Sequence, residues 1–595
     1  MCFLSFSALF VLLLYGLNNL CFYIFFEYKV NSKIFCVLIR VVFVEFSYQM
    51  YEKALFLVKG YKVSKIAFQI FLQRSIGTES NFVNSSFKYQ FVQFNNSFMR
   101  KKSIFRKSFF VYLFFLVTPF LSSTTKAAAN DRPNILWIYI EDLSPWMSCY
   151  GYNNNTPNID KFAKEGVFFE KAFSPAPVCS ATRSGVITGT MQTTFGLHQH
   201  RSSTLKEVGI YLPKKIKTIP ELFKDNGYYS FCYSKEDYNF IYDRKDLYSG
   251  KGAGYYKGML DMNKYDWDII AKQSKPWFGQ LQLMGGKSKA TLANPTPVES
   301  VKQLPYYPNH PVINSLTARH YDEAKIVDQE LEHVLQYLED KGMLKNTIVF
   351  FFSDHGWNDA ARHKQFCYEG GLHVPLIVKG FGKAAKFYPK KKRSDLVNLI
   401  DVSVSSLAMA GIKIPDYMEG IDLFDKKTKE RDFVISARDR CDYTIDRIRT
   451  VRTKDYRYIK NFLTDRPYMQ PQYRDHHPFF IALYESYEKG EMNEVQARFM
   501  KKERPMEELY DLRKDPYQIN NLADNPKYAV ELNRHREILN TWIEESGDQG
   551  ELKESEPRLQ AVYDKWKTKY VNKKKSEYKE LNRLFFAPEY DFLKR

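Results

Sequence analysis

Cysteine is scarce in this chain, with eight in 595 residues, and no two are spaced as CxxC. That gap removes cysteine-based zinc sites and thioredoxin-like redox centres from consideration. Five cysteines follow residue 129, at 149, 179, 232, 367 and 441, too few and too scattered for a disulfide scaffold. Setting Cys179 aside leaves four that could pair in three ways, and buried free thiols are the simpler expectation. No internal repeat is present, which excludes solenoids and propellers. Nor does one charge sign dominate most of the chain. The formal net charge is +19, but residues 1–129 hold 15 basic and 4 acidic side chains, leaving +8 for the rest. Much of that excess lies in VNKKKSEYKELNR (571–583), which reads as a solvated helix face or as a surface for an anionic partner. No nucleic-acid partner is expected.

What is present begins with an export signal. Met99-Arg100-Lys101-Lys102 starts a basic segment, FFVYLFFLVTPFL (109–121) is an apolar run of signal-peptide length, and Lys126-Ala127-Ala128-Ala129 offers a small-residue cleavage site. The reading expects a signal peptide over 99–129 and a periplasmic or secreted protein. Residues 1–98 carry no recognisable periodicity and read as upstream sequence translated from a misplaced start; the alternative is a membrane anchor over the apolar stretch from Met1 to Phe26.

Beyond residue 130 the pattern is that of an α/β protein. Apolar runs that end abruptly in acids, at Ile135–Ile140 and at Thr347–Phe352, predict strands buried on both faces of a large, mostly parallel sheet. Glu141-Asp142 and Asp354-His355 then stand at strand C-terminal ends, the edge where open α/β sheets bind ligands. Between them, Ala324, Val327, Leu331, Val334, Leu335 and Leu338 form a helical stripe with Gly342 as its stop. TPNIDKFAKEGVFF (156–169) predicts another helix, with Thr156 as N-cap, Pro157 at the first position and Gly166 near the end. The alternation fades after about residue 425, where 434–462 reads as successive strands and 506–548 as a turn region followed by a long helix. The expected division is therefore 130–425 for an α/β catalytic domain, 426–550 for a smaller C-terminal part and 551–595 for a charged helical tail.

The pentapeptide Cys179-Ser180-Ala181-Thr182-Arg183 resembles the signature of the type I sulfatases, members of the alkaline-phosphatase-like superfamily. Its setting carries the resemblance: it follows RPNILWIYIEDLSPWMSCYG and TPNIDKFAKEGVFFEKAFSPAPVC and precedes FFFSDHG, in the order that family uses, and ELYDLRKDPYQINNLA (508–523) is similar to its C-terminal hallmark. The resemblance implies a smaller C-terminal antiparallel sheet packed on the main domain. It also implies that Cys179 is oxidised by a formylglycine-generating maturase to Cα-formylglycine, whose hydrate is the nucleophile. Arg183 would hold that hydrate. Glu141, Asp142, Asp354 and His355 would bind one divalent cation, with hard oxygen donors favouring calcium, or magnesium, over zinc.

The anion-binding residues depart from the family pattern. GYYSFCYSKEDYNF (227–240) retains Lys235 of a Lys-x-His motif but has Asp237 in place of the histidine, and KPWFGQLQLMGGK (275–287) puts Lys287 where relatives carry a sulfate-contacting histidine. Lys364, in RHKQFCYEGGLHVPLIV (362–378), matches a third sulfate-binding position. FGLHQHRSS (195–203) supplies histidines, of which His198 is taken as the proton-transfer candidate; His200, Arg201, Arg438 and Arg440 are weaker candidates for sugar binding. Each of these residues taken alone reads as an N-cap, a core residue or a solvated charge. The expected function is hydrolysis of sulfate esters or N-sulfates of a sulfated carbohydrate. A phosphate mono- or diester hydrolase and a non-catalytic binder of sulfated glycans are the alternatives.

Overall fold

The computed structural model describes residues 132–568 apart from 203–205, 253, 388–389, 443, 471 and 567. The expected signal segment, the alternative anchor and most of the charged tail lie outside the described residues. Among the described residues no helix is long and apolar enough to cross a membrane.

The run NILWIYI forms β1 (Asn134–Ile140), buried from Ile135 onward. Ile135, Trp137 and Tyr139 pack into one hydrophobic layer and Leu136, Ile138 and Ile140 into another, so both faces of the strand are covered and no polar alternation is needed. β1 lies inside a seven-stranded sheet with β2 (Val167–Phe173), β3 (Tyr229–Tyr233), β4 (Trp277–Leu283), β5 (Asn346–Ser353), β6 (His373–Gly382) and β7 (Lys391–Asn398). Its order is β3-β4-β1-β5-β6-β2-β7. Every pairing is parallel except those of β6, which runs against both β5 and β2.

Helices cover both faces. On the side of Leu136 lie α1 (Pro157–Glu165), through Ile159 and Phe162, and a later 30-residue helix (Pro311–Asp340), through Val327, Leu331 and Val334. On the side of Trp137 lie α2 (Cys179–Thr188), through Val186 and Ile187, and a helix over Ile400–Met409, through Val402 and Leu407. We label the 30-residue helix α3 and the helix over Ile400–Met409 α4.

Two helix ends differ from expectation in their chemistry. Thr156 occupies the N-cap position of α1, yet its hydroxyl accepts from the Ser148 amide at 3.1 Å and makes no cap bond. Gly166 after α1 is extended, and it is required by space, since a Cβ there would meet the Val378 carbonyl at 2.6 Å. Gly342 does stop α3 with φ +66, donating to the Glu339 carbonyl at 2.8 Å. The helix starts earlier than the apolar stripe suggests, at Pro311.

The C-terminal part forms a four-stranded antiparallel sheet, β11-β10-β9-β8, from β8 (Phe433–Arg438), β9 (Ile448–Thr453), β10 (Tyr456–Asn461) and β11 (Glu507–Asp511). β11 opens the stretch 506–548 that was expected to be a turn region followed by a long helix, and adds a strand before them. Its one-strand pattern is short, and pairing with β10 is what makes it a strand. α5 (Ala529–Ser546) packs Leu532 and Leu539 against Val451, Tyr458 and Leu509 of this sheet. The five described cysteines are free thiols, four of them buried.

Candidate active site

Four adjacent parallel strands, β3, β4, β1 and β5, send charged residues from their C-terminal ends into one place. Lys235 and Asp237 follow β3, Lys287 follows β4, Glu141 and Asp142 follow β1, and Asp354, His355 and Lys364 follow β5. The fit is tight: a Cβ on Gly285 would collide with the Glu141 carbonyl and one on Gly286 with the Asp142 carbonyl, so the Gly-Gly pair lets the turn bearing Lys287 lie against the end of β1. Cys179 enters from α2, whose first residue it is, after an extended Val178. The preceding segment is pinned because the hydroxyls of Ser174 and Thr182 both donate to the Ala176 carbonyl at 2.6 Å. Arg183 stands one turn further along α2 on the same face as Cys179.

Asp142, Asp354 and His355 are buried, and one donor atom from each falls within 4.8 Å of the others. Asp354 Oδ1 accepts from the amides of Asp142 at 2.8 Å and His355 at 2.9 Å, while its Oδ2 makes no hydrogen bond. Asp142 sits at φ +54, a conformation that aspartate tolerates better than most residues. The His355 ring donates from Nδ1 to the Gly356 carbonyl at 2.9 Å, which leaves Nε2, 2.9 Å from Asp142 Oδ1, as the nitrogen with a free lone pair in the neutral ring. Burial pushes Asp354 up to about 6, with the Glu141 charge adding to it. Burial works against a charged His355, but Asp354 and Asp142 outweigh it and push the ring up to about 9. Two crowded buried carboxylates, an unbonded carboxylate oxygen and an imidazole with a fixed tautomer fit a divalent cation, which would relieve that crowding.

Glu141, expected among the cation ligands, lies outside this group of three. Its carboxylate meets Arg183 Nη2 at 2.9 Å and the ammonium groups of Lys235 and Lys287. Burial raises its carboxyl, but Lys235, Lys287 and Arg183 together hold it well below the usual range. Arg183 also approaches Asp354 Oδ2 at 3.6 Å, donates to Gln282, and lies over the Tyr139 ring at 4.0 Å, so it is fixed from four sides. Lys287 reaches Asp142 Oδ2 at 3.2 Å, and Lys364 reaches Asp142 Oδ1 and Oδ2 at 3.0 and 2.9 Å and Asn358 Oδ1 at 3.1 Å. The Cys179 thiol is buried, which raises it, yet Lys235 and Lys364 draw it well below its ordinary value.

Of the two histidines in FGLHQHRSS, the expected candidate His198 is not the one the fold brings to Cys179. His198 is buried beside Arg449, Asp548, Glu554 and Arg440, and burial lowers it to about 3. His200 is the one beside the Cys179 sulfur. His200 Nδ1 lies 3.2 Å from both the Asp442 amide and Asp442 Oδ1, which holds the ring in place. Arg438 and Arg440, offered as sugar-binding candidates, are instead committed internally: Arg438 pairs with Asp446 at 2.8 Å, and Arg440 pairs with Glu554 at 2.5 Å and is sealed from solvent. Arg201 lies near Asp237, Cys179 and Asp442, over the ring of Tyr473 at 5.7 Å.

The sulfatase family model matches residues 133–412, and a second model, N-sulphoglucosamine sulphohydrolase, C-terminal, matches 353–503. The chain belongs to the sulfatase family. An ulvan-active sulfatase of Formosa agariphila is 29% identical over 475 residues, covering 73% of this chain and 78% of that protein. The N-acetylgalactosamine-6-sulfatase of Rattus norvegicus is 25% identical over 365 residues, covering 52% and 68%. Two solved structures share the fold: a 2-O GAG sulfatase (TM-score 0.52, 21% identity, 72% of this chain and 96% of that one) and the phosphonate monoester hydrolase of Agrobacterium radiobacter (TM-score 0.51, 16% identity, 70% and 96%). This sulfatase is thus a sulfuric ester hydrolase on an alkaline-phosphatase-like fold, with a mostly parallel sheet and a separate small antiparallel one.

In this sulfatase several residues around Cys179 carry no motif of their own. Asn358 accepts from Lys364, Gln282 accepts from Arg183, and Asp442 binds His200. Gln282 was the most accessible to sequence reasoning, being with Gln280 one of two polar residues in the buried strand WFGQLQL. Asp442 comes from the C-terminal part, over 200 residues from His200, and only the tertiary fold brings it there.

Proposed function

We propose that this sulfatase hydrolyses sulfate esters of a sulfated carbohydrate with Cys179, matured to Cα-formylglycine, as the source of the nucleophile. The observation that carries this reading is the placement of Cys179 at the buried N-terminus of α2, between the anion-attracting Lys235 and Lys364 and beside the Asp142–Asp354–His355 group. A thiol serves turnover poorly, whereas an aldehyde hydrate carries two hydroxyls: one attacks sulfur, and the other loses its proton as the aldehyde re-forms and sulfate leaves. A calcium ion bound by Asp142, Asp354 and His355 would supply positive charge for a sulfonyl oxygen and for the attacking hydroxyl. Lys235, Lys287 and Lys364 provide three further positive charges, two of them buried and the third half-buried, where such charges act strongly on a sulfonyl group. Arg183, clamped by Glu141 and Asp354, orients the residue one turn before it and does not move with the substrate. His200, held by Asp442, stands beside the same residue as the group to protonate the leaving alcohol.

The 29% identical ulvan-active sulfatase and the pocket lysines support a sulfated polysaccharide as substrate, and the basic-apolar segment at 99–121 supports export. The test is sulfate release from ulvan and from chondroitin sulfate by the full chain co-produced with a formylglycine-generating maturase, followed by ion chromatography. Release should vanish in Cys179→Ala and under chelation, and calcium should restore it to the chelated enzyme. Release that persists in Cys179→Ala would contradict the assignment.

A further inference from the structure

Around Cys179 the acids are sealed with one exception. Glu141, Asp142 and Asp354 are fully buried, and the Asp442 side chain is 8% exposed. Asp237, whose charge acts on Cys179, retains 20% exposure, and Lys287 retains 26%. The partly exposed charged groups around Cys179 thus include one carboxylate, beside the Lys287 ammonium and the Arg201 guanidinium. Asp237 is placed by the backbone: Ser234 at φ +85 and Asp237 at φ +54 bend the chain sharply after β3, the second in a conformation that aspartate tolerates. Its Oδ2 is sealed and lies 2.9 Å from Lys235 Nζ, so the exposed part of the side chain lies away from that oxygen. An ionised carboxylate accepts at about four lone-pair positions, and two neighbouring cations, Lys235 and Arg201, do not exhaust them. Burial raises the Asp237 carboxyl, but Lys235 and Arg201 hold it well below the usual range, so it carries its charge at neutral pH.

A carboxylate in a pocket built for an anion makes sense for a substrate that is anionic at one point and neutral beside it. Resting on the sulfatase reading above, we infer that Asp237 selects sugars whose sulfated carbon has a free hydroxyl on the neighbouring carbon. The hydroxyl donates to Asp237 while the sulfate faces the lysines. A second sulfate at that neighbouring carbon would bring two like charges together in a partly desolvated site and would be rejected.

The experiment compares kcat/KM of the matured, calcium-loaded enzyme on each O-monosulfate of galactose and N-acetylgalactosamine with kcat/KM on the disulfates that add a sulfate to the neighbouring carbon. The preferred monosulfate should exceed its disulfate by at least about tenfold, and Asp237→Asn should narrow that ratio by about tenfold. Asparagine keeps the side-chain shape and tolerates positive φ, and a ratio measured within one preparation is independent of the fraction folded. A purely structural Asp237, serving only to pair with Lys235, would lower both rates and leave the ratio unchanged in Asp237→Asn, which would overturn the inference. Equal turnover of mono- and disulfate by the native enzyme would overturn it too. Absence of sulfate release from every compound would instead strike at the sulfatase reading of the site, and the inference would fall with it.

Discussion

Lys364→Ala should raise the affinity for calcium while lowering turnover, two effects of opposite sign from one side chain. Its ammonium is fully buried and lies 2.9 and 3.0 Å from the two Asp142 oxygens, with Asn358 Oδ1 at 3.1 Å fixing it from a third side. A calcium ion bonded to Asp142 at the usual oxygen distance would stand about 5 Å from that ammonium. A charge of one against a charge of two at that separation gives about 6–7 kcal/mol of repulsion at an effective dielectric constant of about 20. Solvent entering the space left by the side chain screens most of it, so the expected gain is about tenfold in calcium affinity, or about 1.4 kcal/mol. Turnover should move the other way by about a hundredfold or more, the usual loss when a buried donor to a developing anionic group is removed. Competition against a fluorescent calcium chelator gives the first number, and sulfate release gives the second. Calcium affinity that falls together with turnover would refute the reasoning, because it would mean that Lys364 builds the cation site and does not oppose the ion.

Three further outcomes follow from the geometry. His200→Gln should lower kcat, whereas His198→Gln should leave kinetics near native and alter only stability, as measured by sulfate release and by urea unfolding; the reverse pattern would return the proton-transfer role to His198. Arg440→Ala should destabilise the fold by about 3 kcal/mol, by leaving Glu554 without its buried partner, while KM stays within about twofold; a large KM effect would restore Arg440 to sugar binding. Glu330 is buried, accepting from Tyr256 Oη and the Leu260 amide at 3.0 Å, and burial raises its carboxyl from 4.5 to about 7. The stability it lends is fully present below about 4.5 and is lost as pH rises through about 7, so above pH 7 Glu330→Gln should be the more stable protein by up to about 3 kcal/mol in urea unfolding. A variant less stable than the native chain at pH 8 would contradict that assignment.

Much of the α/β frame was legible because buried parallel strands write long apolar runs. β1 and β5 each end in acids within one residue of the expected position, and the α3 stripe faces the sheet as its period requires. β11 was not legible, since the five-residue edge segment EELYD has no apolar alternation and becomes a strand by pairing with β10. At the site, residues on strand ends were readable by position, while those that arrive across long sequence distances were not. His198 and His200 are two residues apart in a loop without regular periodicity, so no pattern says which of these two buried rings faces Cys179. Arg438 and Arg440 looked like anion binders because charge is visible in a sequence, but their partners Asp446 and Glu554 are visible only in the fold.

The account rests most directly on the chemical state of Cys179. Mass spectrometry of the peptide containing residues 179–183, from enzyme whose sulfate-releasing activity has been measured on the same preparation, should find an aldehyde or its hydrate in place of the thiol, in proportion to activity across preparations made with and without the maturase. An unmodified thiol at Cys179 in fully active enzyme would contradict the account.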